Sequence, residues 1–283
     1  MIIKLFQIDA FTDKLFAGNP AAVCPLEEWL EDDVLQKIAI ENNLAETAFF
    51  VKLETGNYHL RWFTPEIEMD LCGHATLASA FVLFEELAYP HDKIIFESKS
   101  GPLAVSKTED YLQLDFPSRP PVKAELPSSI SQALNIQPQE VWKARDYLLV
   151  YDREEDIKNL KPNIGLLDQV NIDPGGIIAT AKGNEADFVS RFFTPKASVF
   201  EDPVTGSAHC TLVPFWASRL NKTDFHARQI SPRGGELFCD LKGERVYIRG
   251  KAIKYLTALP LIKTLSSFKS QNNSPPRAEI CLA

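Results

Sequence analysis

Two long apolar stretches stand out along the chain, at Gly73–Leu87 and at Gly206–Leu220. Each is apolar nearly all round rather than along one stripe, which is typical of a helix that other elements surround. We therefore predict two buried central helices, each enclosed by strands. Pro214 lies inside the second stretch. Because proline lacks a backbone N–H, it predicts a kink or break in that helix.

Shorter patterns predict the elements around these helices. The apolar segments at residues 2–11 and Glu46–Leu53 predict strands, and the spacing within Glu31–Asn42 predicts a helix. Four prolines within Pro117–Pro127 favour an irregular linker. The polar residues of 263–283 predict a partly disordered tail to which no function is assigned.

The chain repeats itself once. The segment RWFTP at Arg61–Pro65 returns as RFFTP at Arg191–Pro195, and CGHA at Cys72–Ala75 corresponds to TGSA at Thr205–Ala208. The order of the blocks is the same in both halves. We therefore predict an α+β fold of two pseudo-symmetric lobes, each a curved, mostly antiparallel sheet around a central helix. The predicted division is an N-terminal lobe at 1–118, a C-terminal lobe at 119–262 and the tail at 263–283.

Composition and charge exclude several classes of function. The net charge is -8 and no Lys/Arg-rich run occurs, so nothing indicates binding to nucleic acid or to an anionic membrane. No stretch has the roughly 18 uncharged apolar residues that a membrane span requires. The N-terminus lacks the pattern of a secretory signal, and the five cysteines contain no CxxC pair. We therefore expect a cytoplasmic protein without a disulfide framework or a metal site.

The two glycines that open the apolar stretches are candidate binding residues. A helix N-terminus has free backbone N–H groups and the positive end of the helix dipole, which together favour an anion. If the lobes face each other, Gly73 and Gly206 lie on opposite sides of one cleft and bind a substrate carboxylate. The alternative is that both are ordinary packing glycines, and the repetition of the whole segment favours the binding site.

Glu46 is the candidate acid/base. It lies among apolar residues in NLAETAFF, where loss of solvation favours the protonated acid near neutral pH and suits a group that takes and returns a proton. A solvated or capping glutamate is the alternative at such a turn.

Further candidates come from equivalent positions of the repeat. His74 and Ser207 follow the two glycines, and Cys72 and Thr205 precede them, so all four are predicted at the same cleft. Asp202 precedes the second helix, either as a site residue or as a turn residue before Pro203. Two thiols across a cleft would suit two-base racemisation, but this chain has only one.

Together these segments resemble the PhzF-like isomerase family of phenazine biosynthesis, which has the diaminopimelate-epimerase fold. The resemblance spans about residues 1–262 and rests on the following segments: Asp9–Val23, Asn43–Phe50, Arg61–Ala78, Ser190–Pro195, Glu201–His209 and Ser231–Leu237. It implies an isomerase that needs no metal or organic cofactor and assembles as a homodimer. The proposed acid/base of the family corresponds to Glu46, and its other site residues correspond to His74, Asp202 and Ser207. The substrate of the best-known member does not carry over.

Three functional hypotheses follow. In the first, the helix N-termini hold the carboxylate of a small anionic metabolite while Glu46 moves a proton along one face of it. The second is an amino-acid epimerase or racemase that uses Cys72. The third is a binding protein that keeps the fold and the cleft without turnover.

Overall fold

The computed structural model describes residues 2–170, 175–197 and 199–262. In this part of the chain the strands are β1 (Leu5–Ala10), β2 (Asn19–Leu26), β3 (Glu46–Lys52), β4 (Tyr58–Phe63), β5 (Glu68–Met69), β6 (Lys93–Glu97), β7 (Leu103–Thr108), β8 (Tyr111–Pro117), β9 (Val122–Lys123), β10 (Glu140–Lys143), β11 (Tyr147–Val150), β12 (Ile177–Lys182), β13 (Phe188–Phe193), β14 (Glu201–Asp202), β15 (Asp224–Gln229), β16 (Gly235–Lys242), β17 (Arg245–Gly250) and β18 (Ala252–Ala258). The α-helices are α1 (Asp32–Asn42), α2 (Gly73–Phe81), α3 (Ser128–Ala133), α4 (Glu154–Lys158), α5 (Ile164–Leu167) and α6 (Gly206–Leu220). A π-helical turn at Val82–Glu86 follows α2.

The strand pairings repeat in the two halves of the chain. In the first lobe β2 pairs parallel with β3, β3 antiparallel with β4, β4 parallel with β6, and β6, β7 and β8 follow as antiparallel neighbours. The same sequence of pairings runs through β11, β12, β13, β15, β16 and β17 in the second lobe. The predicted α+β fold of two pseudo-symmetric lobes is therefore confirmed.

Two antiparallel pairings join strands from the two halves of the chain. β8 pairs with β17, where Leu114 lies opposite Ile248. β18 crosses back to pair with β1 of the first lobe. The predicted boundary between residues 118 and 119 stays a prediction, and β18, which falls within the predicted C-terminal lobe, pairs with a strand of the N-terminal lobe.

The predicted central helices are α2 and α6. Every residue of α2 from Gly73 to Ala80 is buried, and α2 contacts β1, β2, β3 and β8 of the sheet around it. α6 packs on β16 and β17 of the second lobe. Both helices belong to the same hydrophobic core, which explains why their sequences lack a polar face. Within the described residues, no helix has both the length and the apolar character that a membrane crossing needs.

Of the predicted kink or break at Pro214, the break was wrong, because α6 runs continuously from Gly206 to Leu220, and the kink stays a prediction. Pro214 has no N–H to donate to the carbonyl of Cys210, one turn earlier. The backbone N–H of Arg119 donates to that carbonyl instead, at 2.8 Å. The helix therefore continues because a segment outside it satisfies the unpaired acceptor.

That donor belongs to the predicted linker, Pro117–Pro127, which is more ordered than its prolines suggest. It contains the short strand β9, which pairs with β10. The small helices α3, α4 and α5 of the second lobe have no counterpart in the sequence predictions. The predicted tail, 263–283, lies outside the described residues.

Candidate active site

The two central helices begin next to each other. A Cβ built on Gly73 would lie 3.5 Å from the Cα of Gly206. The residues before the helices, Cys72 and Thr205, make no side-chain cap to the helix N–H groups. Both helices therefore direct uncapped N–H groups and the positive ends of their dipoles toward one place. The expected approach of the glycines is observed, while their role in anion binding stays a prediction.

A cavity of about 510 Å³ lies beside these helix starts and is lined by both lobes. It has the size of an ordinary small-molecule site. All eight residues predicted from the sequence line it: Glu46, Cys72, Gly73, His74, Asp202, Thr205, Gly206 and Ser207. The structure thus brings the candidates together, and their chemical roles stay predictions.

The carboxylate of Glu46 lies against the imidazole of His74. Glu46 is the first residue of β3, beside Ala21 of β2, and His74 is the second residue of α2. The Oε2 atom of Glu46 is 3.0 Å from Nε2 of His74, and the two side chains are 15% and 4% exposed. The sequence predicted apolar surroundings for Glu46 but not this polar partner. The cavity wall therefore contains a carboxylate in direct contact with a second group that can carry a proton.

A buried asparagine, Asn19, contacts the other nitrogen of the His74 ring. Its Nδ2 atom lies 3.0 Å from His74 Nδ1 and also donates to Asp202 Oδ1 at 2.7 Å and to the carbonyl of Val204 at 2.9 Å. The two oxygen acceptors fix the orientation of the amide. Nδ2 has two hydrogens, and the two oxygen acceptors take both, so Asn19 links Asp202 and Val204 of the second lobe to the side of the His74 ring.

Sequence reasoning missed Asn19. The residue falls in the family segment Asp9–Val23, but an asparagine before a proline has the pattern of a turn residue. Gly18 supplies the turn itself: its φ is +66° and a Cβ there would lie 2.3 Å from the carbonyl oxygen of Ala10. Only glycine fits this position, which places Asn19 at the start of β2 with its side chain fully buried.

Asp202 is held by residues on both sides of the cavity. Its Oδ2 atom accepts a hydrogen bond from Thr205 Oγ1 at 2.5 Å, while Oδ1 faces Asn19. Gln229 supports this loop: its Nε2 donates to the Asp202 carbonyl at 2.7 Å, and its Oε1 accepts from the Thr205 N–H at 2.9 Å. Gln229 is a second residue that the sequence did not indicate. Asp202 is therefore a fixed acceptor that links the lobes.

Burial changes the acidity of these groups. It raises the pKa of Asp202 to about 6, with Glu46 adding to the effect and His74, Thr205 and Asn19 opposing it. Burial also raises the pKa of the Cys72 thiol to about 11. Burial opposes a charge on His74, but Cys72 and Glu46 favour it and raise the pKa of His74 above its usual value.

Ser207 occupies the position in α6 that His74 occupies in α2. It lines the cavity, and its hydroxyl has no hydrogen-bond partner in the described part of the chain. Equivalent positions of the repeat therefore present an imidazole from one lobe and a hydroxyl from the other. A hydroxyl without a protein partner is available to a ligand.

Glu46, Cys72 and His74 are also a set of possible metal ligands, since one ligand atom of each lies within 4.8 Å of the others. His74 approaches Glu46 through Nε2 and Cys72 through Nδ1, at 3.0 and 3.5 Å. His74 thus faces Glu46 and Cys72 through opposite nitrogens of its ring, whereas one metal ion binds only one nitrogen of a ring. The absence of a metal and of a cofactor stays a prediction.

The exposed side of the cavity carries charged residues that sequence reasoning did not single out. Glu66 comes from the first lobe, and Arg145 and Lys196 come from the second. Apolar side chains, including Met69, Leu71 and Phe192, lie between them. The site therefore combines polar groups at the helix starts with an apolar wall and a charged rim.

The comparisons with known proteins agree with this architecture. Residues 8–258 match the PhzC-PhzF family, described as "Phenazine biosynthesis-like protein". A Pseudomonas aeruginosa protein named an uncharacterized isomerase is 49% identical over 257 residues, which cover 91% of this chain and 98% of that protein. A crystal structure of a PhzF-family protein from Enterococcus faecalis has a TM-score of 0.88 and 47% identity, and the match covers 93% of this chain and 100% of that one.

A more distant solved structure shares only the fold. A hydroxyproline epimerase from Agrobacterium vitis has a TM-score of 0.60 at 10% identity, covering 91% of this chain and 92% of that one. The likeness in sequence to the family is much greater and extends over nearly all of the described chain. The chain therefore belongs to the phenazine biosynthesis-like PhzC-PhzF family and has the two-lobed, diaminopimelate-epimerase-like fold that its sequence predicted.

Proposed function

We propose that this protein is an isomerase that moves a proton on a small amino or hydroxy carboxylic acid, with Glu46 as its acid/base. One observation carries the proposal. The Glu46 carboxylate contacts His74 at the wall of a cavity into which two uncapped helix N-termini are directed. A base and an anion site therefore lie within the reach of one small substrate.

The helix N-termini at Gly73 and Gly206 would bind the substrate carboxylate. Their N–H groups are fixed before the substrate arrives, so they also stabilise negative charge that develops on the carboxylate during proton removal. Asp202 and Ser207 would bind the amino or hydroxyl groups of the substrate. The substrate carbon next to these groups would then face Glu46.

Glu46 would remove a proton from that carbon. The C–H bond breaks, the proton passes to the carboxylate, and the electron pair enters the adjacent unsaturated system. Delivery of the proton to a second carbon of the same system completes the isomerisation. No electrons are gained or lost overall, so the reaction as written needs no redox partner. His74 orients the carboxylate through Nε2.

The alternative base, Cys72, is the weaker candidate. With a pKa of about 11, its thiol is almost entirely protonated at neutral pH. The equivalent residue of the other lobe, Thr205, donates its hydroxyl hydrogen to Asp202. Two-base chemistry across the cleft therefore lacks a competent pair, which favours chemistry on one face.

Deuterium uptake from heavy water tests the proposal whatever product the reaction forms. A panel of small amino and hydroxy carboxylic acids is incubated with the protein, and exchange is followed by mass spectrometry. Loss of a general base typically costs about 10²–10⁴ in rate, so Glu46→Gln should reduce exchange by that factor. Cys72→Ala should retain most of it.

The same experiment separates the other hypotheses. A dead Cys72→Ala variant beside an active Glu46→Gln variant would replace this proposal with the thiol epimerase. Ligand binding without exchange for any compound would favour the non-catalytic binding protein. Assembly as a homodimer, which the family resemblance implies, and a cytoplasmic location, which the N-terminus and the cysteines predict, remain part of the proposal.

A further inference from the structure

Three exposed charged side chains line the cavity. Glu66, Arg145 and Lys196 make no ion pair within the part of the chain that the structure describes. The neighbouring Asp146 carboxyl group, whose charged form Arg145 favours without a direct ion pair, accepts a hydrogen bond from the Gly176 N–H at 2.8 Å. Charges that line a cavity and make no ion pair are available to a ligand.

The internal repeat indicates that these charges are not structural. Arg61 of the first lobe pairs with Glu68 at 2.8 Å, and the equivalent Arg191 of the second lobe pairs with Glu201 at 2.7 Å. The duplication has thus kept this structural ion pair in both lobes. The residue after each FTP segment has instead changed sign: it is Glu66 in one lobe and Lys196 in the other.

The two cations lie at the same edge of the second sheet. Tyr147 of β11 pairs with Ile177 of β12, which pairs with Phe193 of β13. Arg145 precedes β11 and Lys196 follows β13, so both emerge at this end of three adjacent strands. Neighbouring strands are about 4.8 Å apart, so β11 and β13 are about 10 Å apart, a distance that long arginine and lysine side chains can span to reach one group. Asp168 fixes the loop, because its Oδ1 accepts from the Lys196 N–H at 2.8 Å.

We propose that the substrate carries a second acidic group, which Arg145 and Lys196 bind, so that the natural substrate is an amino dicarboxylic acid. This inference rests on the proposed function for the position of the first carboxylate. Its amino group lies near the carboxylates of the cavity, and its second carboxylate lies at the second-lobe rim. At the first-lobe rim, the negative charge of Glu66 repels this second carboxylate. With a net charge of -8, the protein repels a dianion at long range, so local cations must supply the attraction.

Equilibrium binding tests this inference without turnover. The probes are 2-aminoadipate and 2-aminohexanoate, which have carbon chains of equal length and differ in the terminal carboxylate. Titration calorimetry should give the dicarboxylate an affinity about ten- to a hundredfold higher in the wild type, as expected for charge-assisted hydrogen bonds. The double variant Arg145→Gln, Lys196→Met should lose this preference and keep its affinity for 2-aminohexanoate.

Two further variants make the result specific. Lys196→Glu gives the second-lobe rim the negative charge that Glu66 gives the first. This variant should therefore bind 2-aminohexanoate more tightly than 2-aminoadipate. Lys52→Met removes an exposed lysine of β3 that does not line the cavity, and should leave the preference unchanged. Thermal unfolding of each variant checks that it is folded. Equal affinities for both probes in the wild type, or a preference that survives in the double variant, would overturn the inference.

The outcomes also separate this inference from the proposed function. Glu46→Gln should reduce exchange by about 10²–10⁴ but keep the preference for the dicarboxylate. Exchange that depends on Glu46 without any preference would refute the second acidic group alone. A preference that depends on Lys196, without exchange for any compound, would refute the isomerase and leave the binding specificity intact.

Discussion

The two lobes share their folding pattern but differ in the residues at the start of their central helices. In the first lobe the helix start presents Cys72 and His74, and in the second it presents Thr205 and Ser207. One turn further on, the structural role is the same: Thr76 Oγ1 donates to the Cys72 carbonyl at 2.5 Å, and His209 Nδ1 contacts the Thr205 carbonyl at 2.9 Å.

This comparison separates two kinds of constraint. Groups that stabilise the fold recur in both lobes even when the residue type differs. Groups that face the cavity have diverged, so that one lobe supplies a carboxylate and an imidazole and the other supplies acceptors and hydroxyls. A single substrate bound between the lobes has two different ends, and an asymmetric site suits it better than a symmetric one.

The largest loss of activity should come from giving the start of α2 the residue that stands at the start of α6. His74→Ser gives α2 the residue of α6 and leaves Glu46 Oε2 without its partner, so deuterium exchange should fall about 10²-fold. Ser207→Ala removes one ligand hydrogen bond of about 1 kcal/mol, so ligand affinity should fall only about fivefold. If both variants lost deuterium exchange and ligand affinity to the same extent, the two lobes would contribute alike.

A smaller effect should appear in the pH dependence. Asp202 has a pKa of about 6, and its ionised form is the one that accepts a hydrogen from a substrate amino group. Ligand affinity should therefore fall as the pH is lowered through about 6. Asp202→Asn should remove this dependence, which binding measurements between pH 5 and pH 8 would detect.

The Asn19 contact sharpens the same test. Asn19 donates to Asp202 and favours its charged form, so Asn19→Ala should raise the pKa of Asp202 and move the transition to higher pH. The variant should also lose about 1–3 kcal/mol of stability, because it leaves buried acceptors without a donor. A stability loss without a shifted transition would make Asn19 a structural residue only.

The smallest effect is expected at Pro214. Pro214→Ala adds an N–H that competes with Arg119 for the Cys210 carbonyl, which is already satisfied in the wild type. We therefore expect the free energy of unfolding to change by less than about 1 kcal/mol, although proline inside a helix usually costs about 3 kcal/mol. Urea denaturation measures this change. A stabilisation near the usual cost would mean that Arg119 does not compensate.

Much of the fold follows from local sequence. The apolar character of Gly73–Leu87 and Gly206–Leu220 predicts buried helices because a helix without a polar face must be surrounded. The repeated FTP segments predict two lobes, since similar sequences adopt similar pairings. The same repeat aligned His74 with Ser207 and Cys72 with Thr205, and all four line one cavity.

The tertiary structure decided which groups touch. The contact between Glu46 and His74, the three contacts of Asn19 and the Arg119 donor that preserves α6 all join residues far apart in the chain. Periodicity reports only whether a position faces the core or the solvent. A hydrogen bond depends on distances of a few tenths of an ångström, which the packing of both lobes sets. The charges of Glu66, Arg145 and Lys196 were visible in the sequence, but only the folded chain places them around one cavity.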